Sequence, residues 1–217
     1  MEFPDARLLI FAKAPEPGAV KSRLISCLGA QGAANLYLQM ARHCIQQACG
    51  AQLCPVELWC SPSIDHPFFH QCAQEFAVSL FDQCKGGLGD RMAYGLADGL
   101  QRAKSALIIG TDCPAITVDD LGQCLRWLHH NTDVVLGPTE DSGYYLLGAR
   151  KMVAELFSDI PWGGPQVLPM TRQRIESLGM QCRELATRWD VDRPEDVKRL
   201  KKLRLLETGN RFDIGPQ

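Results

Sequence analysis

The sequence predicts a single α/β domain built on a mainly parallel sheet, and three observations carry that prediction. Short β-rich apolar runs alternate with segments of helical periodicity along most of the chain. The 217 residues, 46% hydrophobic and 22% charged, suit one domain that buries a large share of its surface. The residues with the most obvious chemistry follow apolar runs directly, and α/β sheets place their ligand sites outside the carboxyl ends of their strands.

Taken in order, the first strand covers 8–12, and a loop through Pro15 and Pro17 leads into a helix near 19–28. A second helix over 31–48 precedes a strand at 56–60, a short helix at 68–76 and a strand at 77–81. The glycine-rich link at 86–89 opens a helix over 90–103, and the most strand-like run of the chain follows at 106–110. A helix at 118–130 and strands at 133–137 and 144–148 come next. A helix at 166–178, a short strand at 181–185 and a last helix from Pro194 complete the pattern. Residues 1–207 are expected to form the domain, and the polar segment 208–217 reads as a frayed tail.

The formal net charge of -2 gives no general attraction to nucleic acid or to anionic membrane, so the expected partners are small molecules. Oligomeric state is not legible. No apolar stretch reaches the roughly 20 residues needed to span a bilayer, and residues 1–7 lack the pattern of a signal peptide. A cytoplasmic location is expected. The ten cysteines are scattered through predicted helices and strands with no C-x-x-C pair, the pattern of reduced and mostly buried thiols.

Three clusters carry the chemistry. The first, in the loop after the first strand, contains Ala12, Lys13, Gly18, Lys21 and Arg23. Gly18 permits close backbone approach, the predicted helix would offer unpaired N–H groups to an anion, and Lys21 and Arg23 add two positive charges. Charge-assisted hydrogen bonds are worth about 1.5–3 kcal/mol each, against about 0.3–1 kcal/mol for a helix end, so the side chains should dominate phosphate affinity. The spacing is neither a P-loop nor a dinucleotide fingerprint, and a Pro/Gly turn with exposed basic residues is the competing reading.

In the second cluster, Asp112 follows an entirely apolar strand and precedes Cys113 and Pro114, a context where a carboxylate must be solvated, paired or metal-bound. Capping of the strand-to-helix corner by Thr111 or Asp112 is the alternative. Oxygen ligands and phosphates favour Mg²⁺ or Mn²⁺ over zinc. In the third cluster, Asp190 and Asp192 alternate along a short extended run, so only one need point at a given face. Pro194, Glu195 and Asp196 form an ordinary helix start, leaving Asp192 as the better ligand candidate and Asp190 as the next.

Glu140, Asp141, Ser142, Gly143 and Tyr144 offer two acids and a flexible glycine to a second substrate, and a plain turn explains them equally well. Trp162 could wall a sugar or acceptor site or be a buried loop residue. Gly86, Gly87 and Gly89 with Arg91 could bind a base or phosphate or simply start a helix. His66, His70 and Cys72 fit a short surface helix better than a zinc site. The basic segment 198–204 has leucines at helical spacing and reads as an amphipathic helix packed on the sheet. Cys113 has no histidine motif to support it as a nucleophile.

From residue 8 to 200, the chain resembles the small GT-A-type nucleotide-diphospho-sugar transferase-like proteins, a former domain of unknown function. The resemblance rests on Phe11 to Gly18 with Lys21 to Leu24, on Gly89 with Arg91 and Met92, and on Gly110 to Pro114. It continues through Gly137 and Pro138, Asp141 to Tyr145, and Asp190 to Asp192 with Pro194 to Asp196. Some relatives are assigned as glycosyltransferases of arsenosugar biosynthesis. Relatives usually have threonine in place of Ser22 and a second glycine in place of Ser142. The resemblance implies a Rossmann-like α/β/α sandwich of the GT-A type, with Asp112 in the place of the metal-binding carboxylate after the fourth strand. The wider superfamily includes nucleotidyltransferases, among them guanylyltransferases with a similar loop at Lys21 to Leu24.

The leading expectation is a glycosyltransferase using a nucleotide diphosphate sugar, Mg²⁺ or Mn²⁺ and a small acceptor. Two aspartates and a diphosphate sum to about four negative charges, which one divalent cation with Lys21 and Arg23 would neutralise. In this reading Asp112, Asp141, Lys21 and Arg23 are catalytic, and Asp112, Asp192 and Asp190 are the metal candidates. Ala12, Lys13, Gly18, Lys21, Arg23, Gly89 and Arg91 hold the nucleotide, and Glu140, Asp141, Ser142, Gly143, Tyr144 and Trp162 face the acceptor or sugar. The alternative is a nucleotidyltransferase acting on a nucleoside triphosphate with release of pyrophosphate. A nucleotide-binding protein without turnover is the third reading.

Overall fold

In the computed structural model, which describes residues 1–152, 154–203 and 206, the first apolar run becomes strand β1 (Ala6–Lys13). Its side chains alternate between two cores: Leu8, Ile10 and Ala12 face one, while Leu9 and Phe11 face the other. A strand buried on both faces belongs at the centre of a layered α/β domain, and β1 sits there. Its parallel neighbours are β2 (Val56–Ser61) and β4 (Ser105–Gly110), with Leu8 opposite Val56 and Leu107.

The seven-stranded sheet has the order β3-β2-β1-β4-β6-β5-β7, where β3 is Ser79–Asp82, β5 is Val134–Pro138, β6 is Tyr144–Ala149 and β7 is Cys182–Glu184. All pairs are parallel except those of β6, which runs antiparallel to both β4 and β5. The short turn between β5 and β6 requires this, because a parallel crossover needs a dozen or more residues.

Helices α1 (Ile25–Gly50), α2 (Pro67–Phe76) and α4 (Val118–His129) cover one face; α3 (Leu88–Arg102) and α5 (Val167–Ser177) cover the other. The result is the expected α/β/α sandwich. The last helix, α6 (Pro194–Leu203), differs from expectation: Val197 and Leu200 pack against Leu24 just before α1, against Leu36 and Met40 in the middle of α1, and against Trp189, rather than on the sheet. Those partners were already a separate apolar cluster beside the sheet, and α6 closes it.

The loop after β1 also departs from the prediction. The helix expected over 19–28 begins only at Ser22: Gly18 has φ +87°, Lys21 is left-handed at φ 48° and ψ 43°, and Ser22–Leu24 forms a 3₁₀ turn that runs into α1 at Ile25. Gly29, at φ 68° and ψ 166°, then breaks the helical path once more. An L residue in the left-handed region needs tertiary contacts to hold it, and Lys21 has them. His66 caps α2, accepting the Phe68 amide on Nδ1 at 3.2 Å, which accounts for it without a metal. The ten cysteines are all free, six of them buried. Among the described residues no helix is long and apolar enough to cross a membrane. The segment assigned to a tail, 208–217, lies outside the described residues.

Candidate functional site

From β1 the chain moves to β2 on one side, and from β4 it continues to strands on the other, so a crevice opens between the carboxyl ends of β1 and β4. Gly110, the last residue of β4, is exposed there, with open space where a side chain would stand. Asp112 follows two residues later.

The Lys21 ammonium lies 2.6 Å from Asp112 Oδ1 and 3.0 Å from Asp192 Oδ1. Its side chain is 5% exposed, against 52% for Asp112 and 39% for Asp192. Burial alone would lower its pKa, but Asp112 and Asp192 outweigh that effect and raise it. Arg23 donates to Asp192 Oδ2 at 3.3 Å from a largely exposed position. The Val191 amide donates to the Asp112 carbonyl at 3.0 Å, fastening the Asp190–Asp192 run to the end of β4. Asp196 accepts the Asp192 and Arg193 amides, which is the helix-start role expected of it.

Asp190 is pushed up to about 7, first by burial and then by the negative charges of Asp112 and Asp141, with Lys21 opposing and Asp192 adding. Asp141 accepts from Thr139 Oγ1 at 2.5 Å and from the Gly143 amide at 3.2 Å, both on Oδ1, which leaves Oδ2 uncommitted among the described residues. Ser142 is left-handed at φ 68°, a conformation that favours glycine and that relatives with glycine there would adopt without strain.

Two residues that the sequence reading missed hold this end of the sheet together. The Tyr37 hydroxyl accepts the Lys13 amide at 2.7 Å and pairs with Thr111 Oγ1 at 3.0 Å, joining the ends of β1 and β4 from α1. Burial above all, and then Asp112, push its pKa up. Gln83 donates to the carbonyls of Trp59 (2.8 Å) and Ala12 (3.4 Å). Tyr37 has only helical spacing to mark it, and Gln83 is a neutral residue just past a strand.

The remaining expected residues divide. Arg91 reaches the crevice side, donating to Ser61 Oγ at 3.0 Å, Gln83 Oε1 at 3.4 Å and the Gly86 carbonyl at 3.1 Å. Lys13 is exposed at the end of β1, beyond buried Ala12. Gly89 is packed under Trp162, whose Nε1 a Cβ would strike, so close helix packing accounts for this glycine. Trp162 also stacks on Phe157 and meets Tyr144 edge-on. Among the described residues the buried Tyr144 hydroxyl makes no well-formed hydrogen bond, and burial pushes its pKa up, with the Thr171 hydroxyl nearby opposing. Glu140 is paired with Arg199 of α6 at 2.9 Å, and that guanidinium lies over Trp189. The Cys113 thiol is buried, which pushes its pKa up and opposes a nucleophilic role.

Among the described residues no group of three or more His, Cys, Asp or Glu is arranged to hold a metal. Asp112 and Asp192 nevertheless converge on one cation, the Lys21 ammonium, and offer only carboxylate oxygens. Mg²⁺ is commonly held by one or two carboxylates together with substrate phosphates, and this donor pair fits that arrangement.

A mostly parallel seven-stranded sheet covered on both faces, with a basic loop after its first strand, Asp112 beyond its fourth and Asp190 and Asp192 beyond its last, is a domain of the nucleotide-diphospho-sugar transferase fold. The chain belongs to the family described as "Uncharacterized protein conserved in bacteria" (DUF2064), whose model matches residues 44–164. It is similar to a provisional nucleotide-diphospho-sugar transferase from Desulfovibrio desulfuricans G20, with 26% identity and a TM-score of 0.85 over 93% of this chain and 88% of that one. Glucosyl-3-phosphoglycerate synthase from Mycobacterium tuberculosis, in complex with Mn²⁺, UDP and glucosyl-3-phosphoglycerate, matches at 12% identity and TM-score 0.57 over 94% of this chain and 77% of that one. A nucleotidyl transferase from Methanothermobacter matches at 14% and 0.61 over 94% and 99%. The last two are likenesses of fold alone. No curated protein matches the sequence.

Proposed function

We propose that this protein transfers a glycosyl group from a nucleotide diphosphate sugar to a small acceptor, with Mg²⁺ or Mn²⁺ held by Asp112 and Asp192. The observation that carries this reading is the convergence of Lys21, Asp112 and Asp192 at the open end of β1 and β4. In support, the D. desulfuricans protein of the same fold is similar over most of both chains.

The loop from Lys13 to Arg23 would bind the diphosphate, with Gly18 free of side-chain obstruction and Arg23 exposed. Cleavage of the sugar–phosphate bond leaves additional negative charge on the diphosphate, so Lys21 and Arg23 would stabilise the transition state more than the ground state. A bound Mg²⁺ or Mn²⁺ would supply further charge neutralisation there. The uncommitted oxygen of Asp141 would orient the acceptor hydroxyl or take its proton. Thr139 and Gly143 hold that carboxylate in place.

The test is release of nucleoside diphosphate from UDP-, GDP- and CDP-linked sugars, with Mn²⁺ or Mg²⁺ and with chelator, by wild type and Asp112→Asn. Metal-dependent release that the variant lacks supports the proposal; undiminished turnover by Asp112→Asn refutes the assignment of that residue. Nucleotidyl transfer is the second reading, favoured by the exposed Lys13 as a third cation and by the nucleotidyl transferase of the same fold. It predicts pyrophosphate release from a nucleoside triphosphate instead. A binder without turnover would show nucleotide affinity and neither product.

A further inference from the structure

The Lys21 ammonium occupies the position between Asp112 and Asp192 that the proposed divalent cation would take. Its contacts of 2.6 Å and 3.0 Å place it on both carboxylates at once, and its side chain is shielded while theirs remain open to solvent. Two cations cannot share that position, so a metal bound there must displace Lys21.

The backbone around Lys21 is suited to such a displacement. Lys21 is the only non-glycine residue in its loop with a left-handed backbone, at φ 48° and ψ 43°. That conformation is held by the contacts of the side chain rather than by backbone preference. Gly18, three residues earlier, has φ +87° and open space around it. The lysine stem is flexible, and its ammonium is a compact charge with three rotatable donors that serve a phosphate oxygen as readily as a carboxylate.

We propose that Lys21 is an exchangeable internal cation: it closes the Asp112–Asp192 pair in the metal-free protein and is released to the phosphates when a metal-bound nucleotide arrives. This inference rests on the metal reading of the preceding section and adds a selectivity that reading lacks. Free divalent cations must break two ion pairs and leave a partly buried ammonium without a partner. A cation that arrives with a diphosphate provides the ammonium with a new partner. The site therefore disfavours bare metal and favours the metal–diphosphate complex, which is a coupling between the two ligands.

The experiment is calorimetric titration of Mn²⁺ into wild type, Lys21→Met and Lys21→Arg, each with and without inorganic pyrophosphate as a base-independent diphosphate. Lys21→Met should bind Mn²⁺ alone about tenfold more tightly than wild type, and its Mn²⁺–pyrophosphate coupling should shrink by a similar factor. Lys21→Arg, which keeps the charge, should bind bare Mn²⁺ as weakly as wild type. Equal or weaker binding of Mn²⁺ alone by Lys21→Met overturns the exchange and leaves the metal reading intact. If Mn²⁺ binds neither protein, with or without pyrophosphate, both fall.

A second readout uses wild type alone, so it does not depend on the variants folding. Reductive methylation followed by mass spectrometry should leave Lys21 protected in chelator and modified in saturating Mn²⁺. Pyrophosphate added with Mn²⁺ should restore protection. Protection unchanged by saturating Mn²⁺ overturns the proposal.

Discussion

The hydroxyl of Tyr37, on α1, accepts the backbone N–H of Lys13 at 2.7 Å and so ties the helix layer to the last residue of β1. Its second bond, to Thr111 at 3.0 Å, reaches the residue beside Asp112. Tyr37→Phe leaves the Lys13 amide without this acceptor at a partly buried junction, and that should cost about 1–2 kcal/mol of stability. Urea unfolding measures it, and a variant as stable as wild type would show that the junction does not depend on the hydroxyl.

Gly89 is a test of packing against ligand binding. A methyl group there meets the Trp162 indole, so Gly89→Ala should destabilise by about 1–3 kcal/mol through overpacking. The double variant Gly89→Ala, Trp162→Ala should show a favourable coupling, because the clash is gone. Additive losses in chemical denaturation would remove Trp162 as the reason for this glycine.

Arg188 donates to both oxygens of Asp120, at 3.0 Å and 3.1 Å, while its backbone pairs with Pro138 and Glu140 at the end of β5. It thereby fastens the segment leading to Asp190 and Asp192 against α4. Arg188→Met leaves the mostly buried Asp120 carboxylate with the Thr117 amide but no charged partner. Because the guanidinium is partly exposed, the expected loss is about 1–3 kcal/mol, less than for a fully buried pair. Arg188→Lys should recover only part of it, since an ammonium cannot make the two-pronged contact. Thermal unfolding of the three proteins decides this, and full recovery by lysine would argue for charge alone.

Asp190 should give the metal-free protein a distinctive pH dependence. Burial, Asp112 and Asp141 lift it from the ordinary 3.8 to about 7, so between those values the native state holds a proton that the unfolded chain has lost. Stability contributed by this group is therefore complete below pH 4 and declines as pH rises through 7, by an amount on the order of a few kcal/mol at most. Asp190→Asn should lack that decline. Denaturation midpoints in EDTA at acid, neutral and mildly alkaline pH compare the two, and a constant difference would contradict the assignment.

Much of the architecture is legible in the amino-acid sequence. The apolar run at 106–110 became β4 within one residue, and the run at 144–148 became β6, because uninterrupted β-branched and apolar stretches bounded by turns leave little choice of local structure. Asp112 and Asp192 were both expected at one site, and the structure brings them to the same ammonium. The helix expected over 19–28 starts only at Ser22, for a physical reason. Local propensity favoured an earlier start, but two ion pairs to residues far along the chain hold Lys21 in a left-handed conformation that no helix contains.

The sequence by itself determined the alternation of strands and helices and the chemistry placed at the ends of the first and fourth strands, since these depend on side-chain type and short-range periodicity. Only the tertiary structure decided which groups meet: Tyr37 with Lys13 and Thr111, Glu140 with Arg199, Trp162 over Gly89, and Lys21 between two aspartates. Such pairings join residues up to 171 positions apart. They are set by how the layers pack, because burying both faces of the sheet fixes where each loop lands, and neighbouring residues along the chain carry no record of that geometry.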